Sequence, residues 1–198
     1  DHETLPMVPI RRANGVWLED FDGKRYLDAM SSWWVNLFGH AHPRLDAALR
    51  DQIGTLEHVI LAGFTHEPAI ALAERLVEVA PCGLTRVQYA DNGSSAVEIA
   101  LKLAFHHCRN RGDAARTQFV ALAGGYHGET LGALAVGNVA LYKDIYAPLL
   151  MDVITAPSPD AYEHEPGESP EAVARRQFAA MRALLERHAG ETAAVIVE

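Results

Sequence analysis

The chain has 198 residues, 49% hydrophobic and 22% charged, which excludes intrinsic disorder and the fibrous classes. Its 17 Lys and Arg against 26 Asp and Glu give a formal charge of −9, so nucleic acid is excluded as an expected partner. A chain of this length can bury roughly 70% of its extended surface, enough for one large domain or two small ones.

Residues 16–28 read as a β-hairpin, two alternating runs joined by Asp22-Gly23, a pair suited to a turn with positive φ. From Pro43 the period becomes helical, with Leu45, Ala48, Leu49, Gln52, Ile53 and Leu56 on one face, and a second helix follows from Glu67 to Ala80. Thereafter strands and helices alternate: a strand over 86–90, a helix over 94–111 with Val97, Ala100, Leu101, Ala104 and Cys108 inward, and a strand over 118–122. A short helix over 130–136, a strand over 152–155, a polar connection over 157–170 and a helix from Ser169-Pro170 come next; the last has Ala174, Phe178, Met181, Leu185 and His188 inward. The apolar run 193–197 reads as a strand buried on both faces. The pattern predicts an α/β fold, a mostly parallel sheet with helices on both faces, preceded by the hairpin segment. The division expected is 1–42 as that segment, part of a small domain, and 43–198 as the first part of a large domain.

No run of about 18 apolar residues occurs, and Asp1-His2-Glu3-Thr4 has no signal-like n- or h-region, so a cytoplasmic protein without a membrane partner is expected. Cys82 and Cys108 lack C-x-x-C spacing and read as reduced, packed thiols. The 10 histidines include His40-Ala41-His42, His106-His107 and His127, but no closed metal-ligand spacing, so no metal is expected. His106 and His107 read as a solvated helix face with one ring half-buried.

Three segments could carry chemistry. Asp91-Asn92-Gly93-Ser94-Ser95-Ala96 lies between a strand and a long helix, and is either a phosphate cradle at a helix start or a plain N-cap. Gly124-Gly125-Tyr126-His127-Gly128-Glu129-Thr130 is either a loop that lays a ring over a flat ligand or a tight strand-to-helix turn. Ser31-Ser32-Trp33-Trp34, read as strand, would point its indoles to opposite faces, as a pocket wall or as core.

The hairpin from Trp17 to Asp28, Gly39-His40-Ala41-His42-Pro43, Asn92-Gly93-Ser94-Ser95-Ala96-Val97-Glu98, Tyr126-His127-Gly128 and Ile196-Val197-Glu198, in this order and spacing, resemble the class III pyridoxal-phosphate aminotransferases. The double Trp and Thr65-His66-Glu67-Pro68-Ala69 resemble the branch that aminates 8-amino-7-oxononanoate with S-adenosylmethionine in biotin biosynthesis. The resemblance implies a fold type I transferase, pyridoxal 5'-phosphate as cofactor and a homodimer. It implies that Gly93 and Ser94 bind the cofactor phosphate, that Tyr126 lies against the pyridine ring and borders the substrate, and that Trp33 lines the substrate pocket. Trp34 is then expected to serve packing. An indole wall suits a sulfonium donor, since cation–π attraction is worth roughly 0.5–2 kcal/mol. Glu129 is given a role in orienting substrate.

The same resemblance implies a lysine bonded to the cofactor, an Asp on the pyridine nitrogen, a partner-chain Thr at the phosphate and a carboxylate-binding Arg, all falling beyond Glu198. Lys24, Lys102 and Lys143 do not stand at the lysine's place, so no catalytic residue is assigned within the chain. The expectation is an N-terminal-half fragment, inactive alone. The competing expectations are a class III aminotransferase acting on ω-amino acids and a non-catalytic phosphate-ligand-binding domain.

Overall fold

The computed structural model describes residues 3–162 and 164–198; Asp1, His2 and Glu163, the last within the expected 157–170 connection, lie outside the described residues. The chain divides into two compact units, Asp1–Arg86 and Val87–Glu198.

In the first unit, β1 (Ile10–Asn14), β2 (Trp17–Asp20) and β3 (Arg25–Leu27) form an antiparallel sheet in that order, so the expected hairpin is extended by one strand. Its turn differs from a two-residue Asp-Gly turn. Only Gly23 has positive φ (+81°), its N–H donates to the Asp20 carbonyl, and the Asp20 N–H donates to the Lys24 carbonyl. That is the wider loop in which a left-handed Gly follows a type I turn. The Asp20 side chain fixes it by accepting from the N–H groups of Asp22 and Lys24 and from the Tyr26 hydroxyl. Burial would raise the Asp20 carboxyl, but these bonds outweigh it and hold the group below its ordinary range.

The double Trp is not on a strand. Ser31–Trp34 is a single turn, α1, in which all four residues have positive φ (49°, 47°, 67° and 67°). Such a left-handed run costs L-residues roughly 1–2 kcal/mol each, so neighbouring groups must impose it. Helices α2 (Pro43–Ile53) and α3 (Glu67–Val79) form close to the expected limits, α3 with His66 Nδ1 accepting from the Ala69 N–H. The α2 stripe of Leu45, Leu49 and Ile53 is exposed, and among the described residues of this unit only Asp20 is buried.

Residues 86–90, expected as a strand, join neither sheet among the described residues. Their alternation survives: Val87 and Tyr89 are half-buried, Gln88 and Ala90 exposed. Then come α4 (Gly93–Asn110), β4 (Gln118–Leu122), α5 (Leu131–Val136), α6 (Ala140–Lys143), a 3-10 turn over Asp144–Leu149, β5 (Ile154–Ala156), α7 (Pro170–Arg187) and β6 (Thr192–Ile196). The three strands form a parallel sheet in the order β5-β4-β6.

Alternation along β4 sends Phe119 and Ala121 into a core with Leu101 of α4 and Val136 of α5, against which Val97, Ala104, Ala193, Ala194 and Ile196 pack. Val120 between them is fully buried, as are Ala156 of β5 and Val173 of α7. The inward face of α7 is set by Val173 and half-buried Gln177, Met181, Leu184, Leu185 and His188, the expected Met181, Leu185 and His188 among them. Ala174 is exposed and Phe178 is 70% exposed, contrary to the phase that the aromatic suggested. Ala100 of α4 is also exposed, as are His106 and His107, neither ring half-buried. Strand β6 is an edge strand, with Val195 exposed, and so is not covered on both faces within this unit. Cys108 is buried while Cys82 is exposed, so one of the two expected packed thiols is not packed. Among the described residues no helix is long and apolar enough to cross a membrane, and no group of three His, Cys, Asp or Glu is arranged to hold a metal.

Candidate active site

The carboxyl ends of parallel strands are where open α/β sheets bind ligands, and there the second unit gathers two of the expected segments. Asn92 caps α4, its side chain accepting from the Ser95 N–H at 2.8 Å. The N–H groups of Gly93 and Ser94 have no protein acceptor among the described residues, and a Cβ built on Gly93 would meet nothing within 4 Å. An 18-residue helix thus presents free donors and its positive end to an open space.

The Gly-rich loop after β4 folds onto that helix start. The Glu129 N–H donates to Ser94 Oγ at 3.3 Å, and Gly128, at φ +116°, lies so close that a Cβ there would stand 2.1 Å from Ser94 Oγ and 3.1 Å from its Cα. Three contacts hold Tyr126. Its N–H donates to Glu198 at 2.5 Å, its hydroxyl donates to Glu129 Oε1 at 3.1 Å, and its ring meets Tyr142 edge-on at 5.8 Å between centroids. Burial and the Glu129 carboxylate both push the Tyr126 phenol above its ordinary range, so it stays protonated near neutrality. His127 is pushed down by burial, and its Nε2 is buried without a partner.

Glu98, one helical turn beyond Ser94, fixes the far end of the loop. Its Oε1 accepts from the N–H groups of Gly132 (2.7 Å) and Ala133 (3.4 Å) at the start of α5. The opposite end of α5 is closed by Lys143, whose ammonium donates to the carbonyls of Ala135 and Gly137. This gives Lys143 a structural partner set. Beside the loop, a cleft of about 530 Å³ is lined by Gly124 and Gly125 after β4, Pro157 to Asp160 after β5, and Glu198 after β6.

The structure therefore brings Gly93, Ser94, Tyr126 and Glu129 together. Trp33 belongs to the other compact unit. Trp33 and Trp34 are each 70% exposed, their rings tilted at 5.6 Å, so the packing role expected for Trp34 is not met within the chain. The reason is the left-handed turn, which replaces the opposite-facing alternation of a strand.

Sequence reasoning missed two carboxylates. Glu98 acts across 34 positions, a separation that no local spacing signals. Asp28 accepts from the N–H and hydroxyl of Ser32 and from His40, and these bonds hold it down to about 2. A carboxyl lowered on folding stabilises the protein above its unfolded value near 4, and that contribution is lost as pH falls through about 2. The urea midpoints of wild type and Asp28→Asn are accordingly expected to converge as the pH is lowered from about 4 to about 2. Midpoints that keep a constant separation would show that the carboxylate is not held in this way.

Known proteins resemble this chain in sequence and in fold. A family model described as "Aminotransferase class-III" matches residues 1–198. An adenosylmethionine-8-amino-7-oxononanoate aminotransferase of Helicobacter pylori is 46% identical over 202 residues, covering 100% of this chain and 43% of that protein. The crystal structure of the enzyme of that name from Methanocaldococcus jannaschii superposes with a TM-score of 0.85 at 38% identity, covering 98% of this chain and 41% of the other. An omega transaminase from Pseudomonas jessenii in complex with PMP gives 0.89 at 27% identity, with 98% and 44% covered. The chain thus spans less than half the length of these relatives. With its whole length matched by the family model, the chain belongs to the class III aminotransferases.

Proposed function

We propose that the full-length protein is a pyridoxal-phosphate aminotransferase that moves an amino group from S-adenosylmethionine to the ketone of 8-amino-7-oxononanoate, in biotin biosynthesis. The observation that carries the reading is the seat of the Tyr126 loop on the start of α4, with Gly128 against Ser94. The relatives at 38–46% identity that bear the name of this reaction support the choice of substrates.

The residues fit the cofactor's phosphate. The N–H groups of Gly93 and Ser94 and the Ser94 hydroxyl donate to the anion, and the missing side chain at Gly93 leaves room for it. Tyr126, tethered at its N–H, hydroxyl and ring edge, offers a fixed face to a flat ligand. Glu129 accepts from the Tyr126 hydroxyl and orients the substrate. Trp33 lines the substrate pocket as an electron-rich wall toward a cationic donor. Pyridoxal phosphate, when bound, supplies the electron sink for amino transfer, and the protein supplies position and electrostatics. In this reading 1–42 belongs to a small domain and 43–198 opens the large cofactor-binding domain. A cytoplasmic homodimer goes with this reading.

The test is made on the full-length protein purified with cofactor. Gly93→Val combined with Ser94→Ala is expected to lower cofactor retention after dialysis at least about tenfold, measured by cofactor absorbance per subunit. Full retention would remove the phosphate assignment. Amino transfer to 8-amino-7-oxononanoate from S-adenosylmethionine, assayed beside a panel of ω-amino acid donors, decides the substrates. A preference for an ω-amino acid with no use of S-adenosylmethionine would replace this reading by that of the omega transaminases.

A further inference from the structure

The tryptophan turn is the exposed end of a loop closed at its neck. Asp28 Oδ2 accepts from His40 Nε2 at 2.7 Å, and the two side chains are only 9% and 17% exposed. The stems on either side are fastened to the hairpin backbone. The Asp28 N–H donates to the Val16 carbonyl, and Gly15 and His40 exchange two bonds of 2.9 and 2.8 Å. Gly39, at φ +80°, lies so close to Gly15 that a Cβ would stand 3.0 Å from its carbonyl oxygen. Between these stems, residues 29–39 leave the body of the unit and return to it, carrying exposed Trp33, Trp34, Val35, Leu37 and Phe38. This is the geometry of a compact loop whose ends meet.

What holds the left-handed run also comes from the neck. The Asp28 carboxylate accepts from the Ser32 N–H on Oδ1 (2.8 Å) and from the Ser32 hydroxyl on Oδ2 (2.7 Å). It thereby grips the second residue of the turn at two points while its Oδ2 is shared with His40. Two backbone bonds complete the frame, Trp34 N–H to Met30 carbonyl and Asn36 N–H to Ser31 carbonyl. Four strained residues in succession persist only where such contacts over-determine them. One carboxylate thus joins the loop's neck to the second residue of the left-handed run, next to the side chain assigned to substrate.

We propose that Asp28, with His40 and Ser32, is a positioning group for Trp33: the clamp fixes the left-handed turn and hence the direction in which the indole is presented to substrate. The clamp governs substrate KM and leaves the chemical step unchanged. This inference rests on the reading of Trp33 as a wall of the substrate pocket.

The experiment uses the full-length holoenzyme and compares Asp28→Asn, His40→Gln, Ser32→Ala and Trp33→Ala; Ser32→Ala deletes one hydroxyl and keeps the test available if the neck variants fold poorly. For Asp28→Asn the expected result is a KM raised about tenfold with kcat within about twofold and cofactor absorbance per subunit unchanged. Deuterium exchange over residues 29–39 is expected to quicken about tenfold in the same variant. In the Trp33→Ala background, Asp28→Asn is expected to add less than about twofold to KM, because the group it positions has gone. Trp33→Ala with a raised KM, beside clamp variants with unchanged KM, overturns the inference and leaves Asp28 a structural role. Fully additive effects in the double variant overturn it too. Trp33→Ala with unchanged KM overturns the pocket reading itself, a result recognisable because it involves no clamp residue.

Discussion

Gly128→Ala in the full-length protein is expected to destabilise it by about 3 kcal/mol or more and to weaken cofactor retention more than tenfold. Two causes act together. At φ +116° any L side chain is strained, and the new Cβ would stand 2.1 Å from Ser94 Oγ, 2.9 Å from its Cβ and 3.1 Å from its Cα. Rotating the hydroxyl away leaves the second and third contacts in place, so relief requires the loop and the helix start to separate. Gly124→Ala is the matched control. It has positive φ (+75°) with nothing within 4 Å, so backbone strain alone, roughly 1–2 kcal/mol, is expected there. Urea unfolding and dialysis of the two variants side by side check the claim. Equal losses would show that close approach to Ser94 contributes nothing.

Phe119→Ala carries the second large effect, a loss of about 3–5 kcal/mol measured by urea unfolding of the full-length protein. Phe119 is 5% exposed on the central strand. Its surroundings include Ala104, Ala121, Ala193 and Ala194, which have no torsion with which to swing into the vacated volume. Relaxation into the cavity is left to Leu101, Val97, Val136 and Ile196, and the loss is expected within this range. A loss below about 1 kcal/mol would show that the ring does not fill this core.

Legibility in the sequence followed the range of the interaction. Pro43, His66, Asn92 and Ser169 stand at helix starts that local rules identify, and the alternating runs of β2, β3 and β4 announced themselves. The turn at Ser31–Trp34 did not, because Ser and Trp carry no preference for positive φ, and the cause lies in Asp28 and His40 on either side of it. The phase of α7 was legible in its last turns, where Met181, Leu185 and His188 are half-buried, but not in its first, where Val173 rather than Ala174 is buried and Phe178 is exposed. Residues 86–90 have strand-like alternation but no ladder, which depends on a neighbour rather than on the segment itself. The pairing of Gly128 with Ser94 depended on two motifs meeting in space, which neither motif encodes alone.

Asp20 is the one buried residue among the described residues of Asp1–Arg86, and its side chain is a carboxylate serving three donors. Its organising contacts are thus directional and polar, and the apolar area withdrawn from water inside the unit is small. Heat-capacity change and denaturant slope both scale with the surface exposed on unfolding, so opening of this unit by itself leaves a faint calorimetric trace. Melting of Val87–Glu198, with Phe119, Val120 and Val136 at its centre, dominates any bulk thermogram. The hairpin and its tryptophan loop can consequently loosen without registering in a bulk melting curve, and amide-resolved exchange is the observable that follows them.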